Sequence, residues 1–229
     1  MLWMKAWLET RWRLLYALGL PLAMLVLLAT RGLTSAQAAG NMMGTMSFFS
    51  IFAAVYLAGA GVRTQSAFQG IQGLHGSTYF TLSLPVSRFR LLAVRAGLGL
   101  LEVTGINAAV IGTAWSLFPL VRANSTPFDL LQLILAAVVC TTCFYFVSVV
   151  LATFLVETWQ IFGSLFLIGF GWWAVSRLGL PPSSNVFRFG ADASPLITHT
   201  LPWPAMLVSL IASVVLLLTA SKIVQTREF

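Results

Sequence analysis

Apolar residues in this chain fall into blocks about as long as a membrane is thick, separated by short polar stretches. Six blocks can be read: Leu14–Thr30 (with Pro21 inside it), Met43–Val62, Leu92–Leu120, Leu130–Val156, Trp159–Leu178 and Trp203–Ala220. About 20 apolar residues cross the hydrocarbon core of a bilayer as a helix. The pattern therefore predicts an all-α integral membrane protein with a six-helix transmembrane domain over residues 14–229. The third block is long enough to be tilted or broken. Residues 1–13 follow a different pattern. Lys5, Glu9 and Arg13 lie four apart on one helical face, where they can pair along the helix. Trp3, Met4, Trp7 and Leu8 cluster opposite, with Arg11 at their edge. This predicts an amphipathic N-terminal helix lying on the inner leaflet, with Trp3, Trp7 and Trp12 in the headgroup layer. The competing reading is the cytoplasmic start of one long first helix. Ala36-Gln37-Ala38 imitates a signal cleavage site. The apolar run before it, however, exceeds the 7–15 residues of a signal core, so an uncleaved first span is expected.

Composition turns this pattern into an exclusion. Of 229 residues 59% are hydrophobic and 8% charged, and mean hydropathy is +0.91. Thirteen basic and six acidic side chains cannot cover the surface of a soluble domain, in which about a quarter of residues are charged. The net charge of +7 does not point to nucleic acid, because the basic residues flank apolar blocks instead of forming a patch. Their placing predicts topology. With both termini cytoplasmic, Lys5, Arg11, Arg13, Arg63, Arg88, Arg90, Arg95, Lys222 and Arg227 lie inside; Arg31, Arg122, Arg177 and Arg188 lie outside. Trp115, Trp172, Trp173 and Trp203 then fall near outer span ends and Trp159 near an inner one, as in an aromatic belt. Cys140 and Cys143, three apart inside an apolar run, read as packing residues and not as a disulfide or metal pair.

Candidate chemistry is sparse. Lysine occurs only at positions 5 and 222, so the chain has no phosphate-binding loop. Gly59-Ala60-Gly61-Val62-Arg63-Thr64 begins like a dinucleotide fingerprint but lacks its third glycine. His75 and His199 fall on opposite sides of the membrane and no HExxH occurs, which weighs against an intramembrane enzyme. Glu102 is the one acid placed well inside a block. Such residues are costly and mark either a functional site or a polar contact facing the bundle interior, so it is assigned either a gating role or a structural contact near the inner interface. A single acid and no visible repeat weigh against an ion- or proton-coupled carrier. Asn107 and Thr113 are expected on the buried side of the same helix, and Gly105 with Ala109 as a close-packing pair. Phe48, Phe49, Phe52 and Tyr56 on the second span suggest an apolar pathway suited to an amphiphilic substrate. Asp129, after Ser125-Thr126-Pro127, reads as part of a helix cap. The outer loop 179–202 holds Pro181, Pro182, Pro195 and Pro202 with Arg188, Asp192 and His199. It is too polar to span, so it is either re-entrant or a surface loop.

The most informative stretch is 63–95, RTQSAFQGIQGLHGSTYFTLSLPVSRFRLLAVR. Thr64, Gln65, Ser66, Gln69, Gln72, Ser77 and Thr78 supply amides and hydroxyls. Gly70, Gly73 and Gly76 interrupt a continuous helix, and Pro85 ends any short helix over Ser77–Leu84. On its residues alone this is either a docking surface or an ordinary interfacial loop. The run Gly76-Ser77-Thr78-Tyr79-Phe80-Thr81-Leu82-Ser83-Leu84-Pro85-Val86-Ser87-Arg88 resembles the ABC-2 type permease family. There a Gly-Thr/Ser step leads to a Leu-x-x-Pro-x-Ser-Arg ending just before the third span. The order of an amphipathic N-terminal helix, six spans and a short basic tail is similar as well. The resemblance implies the membrane subunit of a bacterial ABC exporter, multi-pass in the inner (plasma) membrane and paired with a second copy or a related permease. It implies that a separate ABC ATP-binding subunit carries ATP and Mg, that this chain binds no cofactor and is not an enzyme, and that a coupling helix lies over Gln69–Leu82. Gln69, Gln72, His75, Gly76, Ser77, Thr78 and Tyr79 would contact the ATPase. Phe49, Phe52, Tyr56, Glu102 and Asn107 would line the pathway or gate it. Gly73-Leu74-His75 departs from the charged residues many relatives carry before the Gly-Thr step, so the contact would rest on hydrogen bonds and packing.

Overall fold

The structure, a computed structural model, describes residues 2–30, 36–58, 88–155, 157–192 and 194–226. These form helices α1 (Leu2–Thr30), α2 (Ala36–Ala58), α3 (Arg88–Leu117), α4 (Pro119–Ala123), α5 (Pro127–Ala152), α6 (Glu157–Arg177), α7 (Pro195–Thr198) and α8 (Trp203–Thr226). Two 3-10 turns, Pro182–Ser184 and Val186–Arg188, precede α7, and there is no strand among the described residues. Among the described residues five helices are long and apolar enough to cross a membrane: α1 from Thr10, α3 from Leu92, α5, α6 from Thr158, and α8. The second expected block appears as a shorter apolar stretch, Gly44–Ala58 in α2.

The N-terminal boundary needs correction. No separate interfacial helix ends at residue 13; α1 is one uninterrupted helix from Leu2 through Pro21 to Thr30. Its first turns are held along α3. Trp3 lies 3.5 Å from where a Cβ on Gly97 would sit, and the Thr10 hydroxyl meets the Glu102 carboxylate. Without a glycine or proline near residue 13 and with a helix to lean on, the chain has no reason to turn there. The third block does break. Phe118 is extended (φ −108°, ψ 100°), Pro119 opens α4, and the residue before a proline is pushed out of the helical region. At the start of α5, Thr126 and Asp129 form a reciprocal capping box with Pro127 in the first turn, the start the sequence pattern predicts.

Helix α5 is the hub, packing against α8, α2, α3, α6 and α7. Its inward positions carry Ala136, Ala137, Cys140, Tyr145 and Val149. The outer helices keep their large apolar groups outside: Leu15 and Tyr16 on α1, Phe162, Phe166 and Phe170 on α6, Ile211 and Val215 on α8. An apolar exterior of this extent fits hydrocarbon and not water. Local contacts fix the helix directions. Trp3 by Gly97 and Thr10 by Glu102 make α1 and α3 parallel. Ser209 of α8 bonding the carbonyls of Val139 and Cys140, with His199 beside Asp129, makes α8 parallel to α5. Tyr145 late in α5 bonds Ala96 early in α3, Ser148 bonds Val55 late in α2 and Arg13 lies over Tyr56. The start of α1, the start of α3 and the ends of α2, α5 and α8 therefore share one end of the bundle.

One close approach is specific. The Tyr145 hydroxyl donates to the Ala96 carbonyl at 3.3 Å, and a Cβ on Gly99 would lie 2.2 Å from that hydroxyl oxygen. Gly99→Ala is therefore expected to lower unfolding stability in detergent by about 1–3 kcal/mol, the range for overpacking a filled site. Gly105→Ala, in open space, should be neutral or stabilising. A double-mutant cycle with Tyr145→Phe should recover part of the Gly99 loss; full additivity would contradict the contact.

Candidate functional site

The expected ATPase-coupling residues Gln69, Gln72, His75, Gly76, Ser77, Thr78 and Tyr79 lie outside the described residues. The expected pathway residues lie within them, and the helices bring together only some. Phe48, Phe52 and Tyr56 recur every four residues on α2. Their rings stack in sequence, Phe48 on Phe52 at 6.5 Å and Phe52 on Tyr56 at 5.9 Å between centroids. Phe49 stands edge-on to Phe48 at 5.9 Å. The guanidinium of Arg13 sits 5.9 Å over the Tyr56 ring, an attraction of about 0.5–2 kcal/mol depending on desolvation.

Glu102 is buried, 6% exposed. Its Oε1 accepts from Thr10 of α1, and its Oε2 has no hydrogen-bond partner. Tyr145 of α5 approaches the same side of α3 one turn earlier, its hydroxyl on the Ala96 carbonyl and against Gly99. Residues from α1, α2, α3 and α5 thus converge: Thr10, Arg13, Tyr56, Glu102 and Tyr145. Asn107 does not join them. Five residues farther along α3, it points about 140° away at 100° per residue. It is fully buried, with Nδ2 on the Val103 carbonyl at 2.9 Å and Oδ1 unpartnered. Gly105 is not a close-packing residue within this chain, because a Cβ there would meet nothing within 4 Å. On the ordinary face of the helix, Thr113 is half-buried.

A second polar cluster went unanticipated. Gln160 of α6 donates from Nε2 to the Val55 carbonyl of α2 at 3.2 Å and to the Ser148 hydroxyl of α5. Ser148 donates to the same carbonyl at 3.1 Å, and Ser164 bonds Ser148 at 2.9 Å. All three side chains are buried, and Gln160 Oε1 is left without a partner. The available signal was a glutamine between two aromatic-rich stretches, Trp159 and Ile161–Phe162; polar residues at membrane depth are expected to bind across helices. Both clusters lie toward the end where α1 begins.

The opposite end is closed by the segment between α6 and α8, which turns back into the bundle. Phe187 packs on Phe144 of α5 at 5.0 Å and against Gly171 of α6 at 3.6 Å from its would-be Cβ. Phe144 lies about 25 Å along α5 from Pro127 at 1.5 Å per residue, a little past the middle of the helix. Phe189 is also buried. The irregular backbone survives there because it is enclosed by protein and capped locally: Asn185 accepts from Phe187 N–H at 3.0 Å, and Ser194 caps α7. Cys140 and Cys143 are free, and the Cys143 thiol points at the Cys140 carbonyl, 3.2 Å away. Among the described residues no three His, Cys, Asp or Glu side chains come together.

The chain matches no family model, no curated protein and no solved structure. Its chemistry is therefore read from its own residues: two buried, incompletely satisfied polar clusters that tie helices together at one end, with an aromatic ladder running from one of them along α2.

Thr10→Val and Glu102→Ala should each destabilise the protein, and their double-mutant cycle in detergent unfolding should couple by about 0.6 kcal/mol and at most about 1.7 kcal/mol, the range for interhelical bonds in membranes. Gln160→Leu should loosen the contact of α6 with α2 and α5, raising amide exchange at the start of α6. Unchanged exchange would show that the cluster does not hold those helices.

Proposed function

We propose that this chain is the membrane-spanning subunit of an ATP-driven exporter of the ABC-2 permease type. It works as a homodimer or beside a related permease in the inner membrane of a bacterium, with substrate passing between the copies. The observation that carries this reading is the run Gly76–Arg88, with its Gly-Ser-Thr step and Leu-x-x-Pro-x-Ser-Arg ending, in the connection between α2 and α3. Helix direction supports it: α2 ends and α3 begins where α1 begins and α8 runs out, and nine of the thirteen basic residues fall on that side in the sequence. The positive-inside rule makes that side cytoplasmic. An ATP-binding partner there would bear on Gln69–Tyr79. With lysine only at 5 and 222, the ATP and Mg belong to that partner.

The two polar clusters give this reading a mechanical content. A push on the α2–α3 connection acts on the ends of the two helices that Arg13, Tyr56, Glu102 and Val55 tie to α1, α5 and α6. These helices then move as a group. Phe49, Phe52 and Tyr56 would face an amphiphilic substrate, and Glu102 would set the resting position of α1 against α3. A second reading, an ion- or proton-coupled carrier, rests on Glu102 alone, a buried carboxylate with one unpartnered oxygen.

Purification in mild detergent should recover a tightly associated ABC ATPase. Deleting Gln69–Tyr79 should abolish its copurification while leaving membrane insertion intact. A monomer indifferent to any ATPase would overturn the exporter reading. Glu102→Gln separates the roles of that carboxylate: a structural contact loses assembly about as much as transport, whereas transport loss with assembly intact makes it a gating group.

A further inference from the structure

The segment that returns into the bundle is fastened at its far end by one side-chain pair. His199 Nδ1 lies 3.1 Å from Oδ2 of Asp129. The histidine side chain is 57% exposed and the aspartate only 6%. Asp129 is held rigidly in the capping box of α5, where the same Oδ2 accepts from the Thr126 amide and hydroxyl, each at 2.8 Å. His199 is placed by an unusual backbone. Among the described residues it is the one non-glycine with positive φ (52°), the left-handed conformation that ends α7, with its N–H on the Pro195 carbonyl at 3.0 Å. Histidine tolerates that region better than most residues but still pays some strain in it. Glycine would serve the backbone better, so the imidazole has to contribute something a glycine could not.

We propose that His199 and Asp129 form a pH-set clasp that seats the returning segment, residues 182–198, against α5 and tightens as the outer compartment becomes acidic. An aspartate is ionised above roughly pH 4, and an imidazole gains its charge below roughly pH 6.5. With the imidazole protonated the contact is an ion pair; with it neutral the contact is a hydrogen bond. The clasp therefore strengthens as pH falls through the imidazole range and weakens as it rises. Among the described residues, the other charges at this end have partners of their own or stand exposed. Arg188 and Asp192 pair with each other at 2.7 Å, Arg177 lies 5.6 Å over the Trp173 ring, and Arg122 is exposed in α4. Among the described residues, Asp129 on α5 is the charged group that contacts His199, and α7 packs on α5 beside it. The inference does not depend on the exporter reading, since it concerns the seating of a segment and needs neither ATPase nor substrate.

Amide hydrogen exchange on the full chain in nanodiscs, normalised to intrinsic rates, tests it. Exchange over residues 182–198 should be about two- to fivefold slower at pH 5.5 than at pH 7.5, the modest span a partly exposed ion pair allows. His199→Gln, which keeps a side-chain hydrogen bond but cannot ionise, should flatten that dependence. His199→Gly, which relieves the backbone, should also flatten it while leaving α7 protected at both pH values, so a lost pH response is not mistaken for local unfolding. Faster or unchanged exchange at the lower pH in the unaltered chain, or a pH response that persists in both variants, would overturn the clasp.

Discussion

Hydrocarbon offers no partner to a polar atom, so every amide, hydroxyl and carboxylate at membrane depth must find one within the chain. Most of this chain obeys that rule by keeping polar groups out of its spans. Where it does not, the polar groups decide how the helices sit. Apolar surface cannot fix a register in lipid, because leucine against leucine and leucine against acyl chain are nearly equivalent. A directional bond can. Glu102 with Thr10 sets α1 against α3, Gln160 and Ser148 on the Val55 carbonyl set α6 and α5 against α2, and Ser209 on two successive carbonyls sets α8 against α5. Each bond joins helices far apart in sequence.

These bonds explain why α5 is the hub. Its inward positions alternate small residues that admit close neighbours with a few that reach across: Tyr145 to Ala96, Ser148 to Val55, and carbonyls 139 and 140 to Ser209. Gly99 belongs to the same logic from the other side, since only a missing Cβ leaves room for the Tyr145 hydroxyl. The peripheral helices need no such matching on their outer faces, and α1, α6 and α8 accordingly present large apolar side chains there with little order of size or shape.

Five of the six expected spans were legible in the sequence as helices long and apolar enough to cross a membrane, because hydropathy is a property of single segments. α5, α6 and α8 start within three residues of the expected positions, and the break at Phe118 follows from Pro119 alone. The cap at Thr126–Asp129 was legible for the same reason, its signals lying within four residues. What could not be read was pairing. Nothing local distinguishes Ser148 or Gln160 from a polar residue facing a headgroup, and nothing near Asp129 announces His199, seventy positions away. The N-terminal segment misled for a related cause. Its amphipathic pattern is real, but α3 offers it a side to lie on, and a helix with no breaker continues where contacts continue. Glu102 and Asn107 share a helix and a polar character, yet five residues of helical rotation put them on different faces.

The two ends of the bundle are built on different principles. At the end where α1 begins, helices are joined directly through buried side chains with almost no slack, so a displacement of α2 or α3 carries α1, α5 and α6 with it. At the other end, the returning segment stands between α5, α6 and α8, wedged by Phe187 and Phe189 and tied at its margin by the exposed His199 on the buried Asp129. Burial makes the first set of bonds hard to exchange for water; exposure makes the last one answerable to it. The bundle is thus tied by buried bonds between helices at one end and, at the other, by a returning segment whose margin meets solvent through His199.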